Sequence, residues 1–264
     1  MSELVLDADW LAALQARANQ PELRPRVPLW AGQARIGSVE PDLLPGIALP
    51  QGLVTPTHGA GEPGWRITGD LTANLHHLAL ALRDAGVAHA WRDEQLAVTD
   101  EQGNVLGTVE RAVVRPLGIT TFAVHLVGVA PDGRHWVQQR SLTKPNDPGL
   151  WDTLMGGMVP ASDTVMQALE RETWEEAGLR VEQVEGLRFG GRISTRRPTG
   201  DGRAGYVVEH VDWYRCVVPD GVVPSNQDGE VAQFRLMPLA ELRERLQRDE
   251  FTTEAALIVS QSRF

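Results

Sequence analysis

Apolar residues recur with helical spacing in several stretches of the chain and with strand-like spacing between them. Trp10, Leu11 and Leu14 mark one side of a short helix over residues 8–19. Leu71, Leu75, Leu78 and Leu82 form the stripe of a second helix, which Asp70 can cap and Gly86 stops after about Ala85. Thr164 and Gln167 have capping-box spacing, so a third helix starts near Val165. Gly178 supplies its left-handed stop and Leu179 the apolar contact that follows. Met166, Leu169, Thr173 and Ala177 share a face of that helix suited to packing on a sheet. PLAELRERLQ predicts a helix with Pro238 in its first turn, and a last helix covers Glu254–Gln261.

Between these helices β-prone runs dominate. Residues 21–64 are rich in Pro and Gly, with short apolar pieces such as Ala34–Val39, and read as strands and loops. Gln95–Thr99 and Val105–Val109 flank DEQGN, a hairpin turn. ITTFAVHLVGVA and HWVQQRS are joined by the turn PDGR. Leu150–Pro160 precedes the third helix, and strand-like runs follow near 181–194, 206–218 and 230–237. No internal repeat or low-complexity tract interrupts the pattern. Strands mixed with helices from about residue 115 predict an α/β layered domain, with a smaller α+β domain before it. The expected division is 1–113 and 114–264.

Composition changes this picture little. The chain has 264 residues, 42% apolar and 23% charged, ordinary for a soluble globular protein able to bury a core. Its net charge of −10 argues against nucleic acid or an anionic membrane surface as the main partner. An anionic substrate stays open, because a bound divalent cation reverses the local sign. Cys216 is the only cysteine, which excludes an intrachain disulfide and a Cys-rich zinc site and fits a reducing compartment. MSELVLDADWLAALQARANQ lacks the basic start and apolar run of a signal peptide. No stretch reaches about 18 uninterrupted apolar residues. A cytoplasmic location is expected.

The chemistry concentrates in GGMVPASDTVMQALERETWEEAGL, Gly156 to Leu179. Glu172, Glu175 and Glu176 sit at i, i+3 and i+4, so their carboxylates cluster on one side of the helix, with Glu170 apart from them. Bare, such carboxylates repel one another by roughly 0.2–0.5 kcal/mol per exposed pair. Partly buried, they raise one another's pKa. A hard divalent cation with a preference for oxygen ligands, Mg²⁺ or Mn²⁺, removes the repulsion. Arg171, four residues before Glu175, is placed to orient it. The bland alternative is a solvated acidic helix. The glycine pair ahead of the helix, its cap and its Gly-Leu stop together favour a metal-binding loop and helix.

Gly157, Arg171, Glu172, Glu175, Glu176, Gly178 and Leu179 resemble, in register, the Nudix box G-x5-E-x7-R-E-U-x-E-E-x-G-U, where U is bulky and apolar. Two positions depart from it. Asp163 stands where the family has Glu, one methylene shorter; lying just before the helix, it is expected to brace the loop and not to bind metal. Thr173 replaces a bulky apolar residue, at some loss of packing. LGITTFAVHLVGV…WVQQRSLTKPNDPGLWDTLMGGMV before the box and SNQDGEVAQFRLMPLAEL after it resemble one Nudix subgroup. Its members carry an uncharacterised N-terminal domain, and they include plant and fungal proteins and enzymes that hydrolyse damaged thiamin diphosphates. AWRDEQLAVTDEQGNVLGTVERAVVRPLGITT resembles the junction in that subgroup. The likeness is good over about residues 88–240 and weak before them.

The resemblance implies a Nudix α/β/α sandwich preceded by a smaller α+β N-terminal domain. It implies Mg²⁺- or Mn²⁺-dependent hydrolysis of a small-molecule diphosphate. Thiamin diphosphate or an oxidised analogue such as oxythiamin diphosphate comes first; a nucleotide-type diphosphate (ADP-ribose, a dinucleotide, a nucleotide sugar) comes second. Glu172 and Glu176, with Glu175 alongside, would hold the metal, and the backbone carbonyl near Gly156 would complete the protein's share. Glycine at 156 and 157 lets the backbone come close. Glu175, Arg171 and Glu230 form the expected catalytic set. Glu230, in QDGEV, is the candidate general base, the alternative being an ordinary residue at a strand start. Arg140 and Lys144 could hold the anionic substrate or be surface charges. Trp151 and Asp152 could shape a pocket for a ring, or Trp151 could be structural. His76 and His77 read as structural. LWDTLMGGMV also resembles the segment before the box in isopentenyl diphosphate isomerases, but their chemistry uses a cysteine upstream of the box and Cys216 lies downstream. Nudix folds that serve as ligand sensors often lose box carboxylates, which this chain keeps. The N-terminal domain could cover the pocket or form a homodimer interface.

Overall fold

Capping and apolar periodicity set the elements of the first half. The computed structural model describes residues 4–59, 61–88, 90–200 and 205–262. Helix α1 spans Ala8–Ala18, followed by β1 (Val27–Ala31), β2 (Ala34–Val39), β3 (Thr55–Gly59), β4 (Glu62–Ile67), α2 (Leu71–Asp84), β5 (Gln95–Thr99) and β6 (Val105–Glu110). The Asp70 carboxylate accepts the Ala73 N–H at 3.0 Å and starts α2. Strands β2-β1-β4-β3 form one sheet, in which β1 and β4 run parallel. Leu75, Leu78 and Leu82 of α2 pack with Leu29, Ile67, Leu96 and Val109 into one buried cluster. Strands β5 and β6 form the expected hairpin.

The second half is built on β7 (Thr121–Val129), β8 (His135–Arg140), β9 (Trp151–Asp152), β10 (Met155–Met158), α3 (Val165–Ala177), β11 (Glu185–Pro198), β12 (Tyr206–Val217), β13 (Val231–Met237), α4 (Leu239–Gln247) and α5 (Thr253–Gln261). Its sheet runs β11-β12-β7-β8-β13, with β10 paired to β7 and β9 to β8. Alternate residues of β7 feed opposite faces. Val124 and Leu126 pack with Ala168, Leu169 and Ala177 of α3, while Ala123 and Val127 pack with Ile258 of α5 and Leu242 of α4. A sheet covered by helices on both faces gives the expected α/β/α sandwich, with a separate sheet before it.

Helix α1 does not join the sheet that follows it in sequence. Its Leu14 and Ala18 are buried in the α5 side of the sandwich, and Trp10 Nε1 and Arg17 Nη2 donate to Asp249 at 3.0 and 2.6 Å. Other expectations shift in detail. The strand placed near 181–194 starts at Glu185, because Val181–Gln183 forms a single 3-10 turn, and it continues to Pro198, which pairs with Tyr206. Pro238 is the N-cap of α4 and not a first-turn residue. Met166 is 39% exposed. The phase of α3 instead turns Ala168, Leu169, Thr173, Glu176 and Ala177 inward. Among the described residues, no helix is long and apolar enough to cross a membrane.

Candidate active site

The capping box of α3 forms as the sequence predicts. Thr164 N donates to Gln167 Oε1 at 2.8 Å, and the Gln167 N–H donates back to Thr164 Oγ1 at 3.3 Å. Gly178 ends the helix in the left-handed region, at φ 62°. These two ends fix the helix phase, and the phase sets where each carboxylate points. Glu176 is 2% exposed and faces β10 and β8. Its Oε2 accepts from Gly156 N–H at 3.0 Å and from Gln138 Nε2 at 2.7 Å. Lys144 Nζ lies 3.4 Å from its Oε1. Glu172 lies flat against the backbone of Gly157, where an added Cβ would fall on its carboxyl carbon. Glycine at 157 is therefore set by a close approach and not by a turn.

Burial, and then the neighbouring Glu176 charge, push the Glu172 carboxyl up to about 7, against the opposing pull of Arg171. Burial likewise raises Glu176, although Lys144, Gly156 N–H and Gln138 stabilise its charge. Two hard-oxygen donors whose joint ionisation is costly fit a divalent cation, which removes that cost. Glu175 behaves differently. Its side chain is 42% exposed and accepts from Arg171 Nη1 at 2.9 Å. Among the described residues no three acidic, imidazole or thiol side chains converge as a ready metal cage. Glu172 and Glu176 are the pair that would hold a metal. Gly157→Ala is expected to weaken Mn²⁺ binding, followed by calorimetric titration, at least ~10-fold, as loss of ligand support does elsewhere. Unchanged affinity would show that the close approach has no bearing on the metal.

Arg171 organises this edge of the site. Its Nε donates to Asp163 Oδ2 at 3.0 Å, and its Nη1 donates to Glu172 Oε1 at 3.0 Å as well as to Glu175. Burial works against the guanidinium charge, but Glu172, Asp163 and Glu175 outweigh it and raise its pKa. Asp163 thus braces the loop through Arg171, and its shorter side chain suffices because it sits just before the helix.

The remaining expected residues divide. Glu230 and Lys144 meet in the cleft as an ion pair. Burial pushes the Glu230 carboxyl up, but hydrogen bonding and charge from Lys144, with Arg92 and Arg111, hold it below the ordinary carboxylate range. Arg140 lines the cleft but is committed to structure, its Nη2 donating to Asn146 O at 3.0 Å and its Nη1 lying 3.5 Å from Asp152 Oδ2. Asp152 is 3% exposed at the cleft floor. Trp151 is not a pocket residue: it lies 4% exposed in the α4/α5 core, with the Arg245 guanidinium 5.6 Å from its ring centroid. Adjacent residues of a strand face opposite sides, so Asp152 and Trp151 cannot both line the cleft. His76 and His77 are exposed and away from it. Cys216 is buried and its thiol is pushed up to about 12 by burial, which leaves no reactive thiolate.

The cleft has a volume of about 280 Å³. A compartment of about 210 Å³ adjoins it, sharing Arg92, Arg111, Arg115, Met158, Val207 and Glu209 with it. Several residues of the cleft and its support carry no sequence signal. Gln138 carries no motif. Glu254 pairs with Arg197 at 2.7 Å across an interval no local pattern reveals. Arg92 and Arg111 lie in the segment expected to be a separate domain.

A family profile for the NUDIX domain matches residues 120–257. Uncharacterized protein YJR142W of Saccharomyces cerevisiae is 30% identical over 184 residues, covering 64% of this chain and 53% of that protein. Nudix hydrolase 24, chloroplastic, of Arabidopsis thaliana is 29% identical over 192 residues, covering 71% of this chain and 52% of that protein. The chain thus spans about half the length of these curated relatives. Among solved structures, DR0079 from Deinococcus radiodurans shares the fold, with a TM-score of 0.51 at 20% identity over 64% of this chain and 100% of that one.

Proposed function

The chain belongs to the Nudix family, and on that premise we propose that it is a Mg²⁺- or Mn²⁺-dependent hydrolase of small-molecule diphosphates. The observation that carries this reading is the buried pair Glu172 and Glu176, both with raised pKa, in one cleft with Lys144 and Glu230. A bound divalent cation supplies charge neutralisation on the diphosphate and a more acidic attacking water. Glu172 and Glu176 would hold it, and Arg171 Nη1 orients Glu172 by donating to its Oε1 at 3.0 Å. Lys144 offers a positive charge to the diphosphate and keeps Glu230 ionised. Glu230 takes a proton from the water as its oxygen bonds to phosphorus and the P–O bond to the leaving phosphate breaks. Glu230→Gln is expected to lower kcat at least ~10²-fold, read by phosphate release. Near-normal turnover removes Glu230 from the mechanism.

For the substrate we propose thiamin diphosphate or an oxidised analogue, on the likeness of the segments flanking the box. Monophosphate release from thiamin diphosphate, oxythiamin diphosphate and ADP-ribose, measured side by side with Mg²⁺, tests this. Fastest turnover of ADP-ribose would favour a nucleotide-type substrate. Absence of turnover on every diphosphate would replace the hydrolase with a ligand sensor. We further propose the division at 113/114; the core of the first sheet reaches slightly past it, to Val114, Leu117 and Ile119, and α1 crosses to the hydrolase side.

A further inference from the structure

We infer that the N-terminal part supplies an anion subsite, built from Arg92 and Arg111, that receives a phosphate group in the cleft that Glu172 and Glu176 also line. The inference rests on the hydrolase reading only for the identity of that anion as a diphosphate.

The cleft holds many carboxylates, and four of the basic groups set there by the hydrolase part are paired with them, while Arg115 gives Nη1 to the Asn146 side-chain oxygen at 3.1 Å. Arg140 is bound to Asn146 and Asp152, Arg171 to three carboxylates, Arg197 to Glu254, and Lys144 to Glu176 and Glu230. Arg92 and Arg111 line the same cleft. Arg92 is exposed, and among the described residues no hydrogen bond or ion pair engages its guanidinium. Arg111 gives Nη1 to Glu94 at 2.6 Å. A guanidinium carries five N–H donors, so most of its capacity stays available. Two such groups suit the oxygens of a phosphate.

Their backbone is fixed. The Arg92 N–H donates to Glu110 Oε1 at 2.9 Å, and the Arg111 N–H donates to Glu94 O at 2.9 Å. The β5–β6 hairpin, which they flank in the chain, is tied to the loop before α3, where Ala161 N–H donates to Gln95 O at 2.8 Å. The positive charge of both arginines also reaches the Glu230 carboxyl, at the reacting end of the cleft.

The test uses the full chain with Mg²⁺ and methylenediphosphonate, whose P–C–P bridge cannot be hydrolysed, in calorimetric titrations. Arg92→Ala and Arg111→Ala are each expected to weaken binding at least ~10-fold, the scale of a lost charge-assisted hydrogen bond. Arg92→Lys should retain part of the affinity. Arg111→Ala also frees Glu94, so the exposed Arg92 is the deciding position. Wild-type affinity in Arg92→Ala would overturn the subsite, most plainly if Lys144→Ala weakens binding in the same assay. Failure of the wild-type protein to bind the probe would overturn it too. Weakened binding in both variants without turnover of any diphosphate would keep the subsite and remove the hydrolase. Turnover with unaltered binding would do the reverse.

Discussion

Glu176→Gln is expected to lower Mg²⁺-dependent turnover by about 10³-fold while leaving the fold intact. The carboxylate is 2% exposed and is met by Gly156 N–H, Gln138 Nε2 and Lys144 Nζ. A glutamine of the same shape keeps one acceptor oxygen for the first two of these contacts, which share Oε2. What it loses is the negative charge, which a cation ligand needs and which balances Lys144. Transition-state charge stabilisation by a held divalent cation is worth several kcal/mol, and losing about 4 kcal/mol of it is about 10³ in rate. The fold should persist, because burial already disfavours this charge in the metal-free protein. Phosphate release against Mg²⁺ concentration, with circular dichroism alongside, reads both parts. Turnover within about tenfold of wild type in a folded variant would take Glu176 out of the metal-holding pair.

The second large effect is on stability and has the opposite sign. In metal-free protein at pH 8, Glu172→Gln is expected to raise Tm by about 5 °C. The Glu172 carboxyl is pushed up to about 7 in the folded state, against an ordinary value of 4.5. Below about 4.5 the group is protonated in both states, and wild type and variant should melt together. As pH rises from there to about 7 the unfolded chain releases its proton first, so the wild type loses stability through that window and levels off above it. The full shift corresponds to a few kcal/mol; the neighbouring Glu176 and Arg171 share in it, so we expect ~2 kcal/mol. In a domain of this size each kcal/mol moves Tm by roughly 2–4 °C. Mg²⁺ should raise the Tm of the wild type at pH 8 and that of the variant much less. A variant that melts at or below wild type at pH 8 without metal would show that Glu172 carries no such strain.

Local chemistry determined the parts of this protein that its sequence alone discloses. The cap at Thr164 and Gln167, the stop at Gly178, the start of α2 at Asp70 and the β5–β6 hairpin all rest on contacts between residues a few positions apart, so their spelling is their structure. The order of Gly157, Arg171, Glu172 and Glu176 is legible for the same reason: one helix and the short strand β10 just before it carry them all. Tertiary structure decided the rest. Helical spacing puts three glutamates together, but only packing turns Glu172 and Glu176 toward β10 and leaves Glu175 outside with Arg171. The pairing of Lys144 with Glu230 joins the loop after β8 to the residue just before β13. The phase of β9 sends Trp151 into the core beside an Asp152 that reaches the cleft. Helix α1 leaves its own segment for α5, and the hairpin brings Arg92 and Arg111 to a site encoded far downstream. No periodicity records these choices, because burial and long-range charge are settled only when distant segments share one interior.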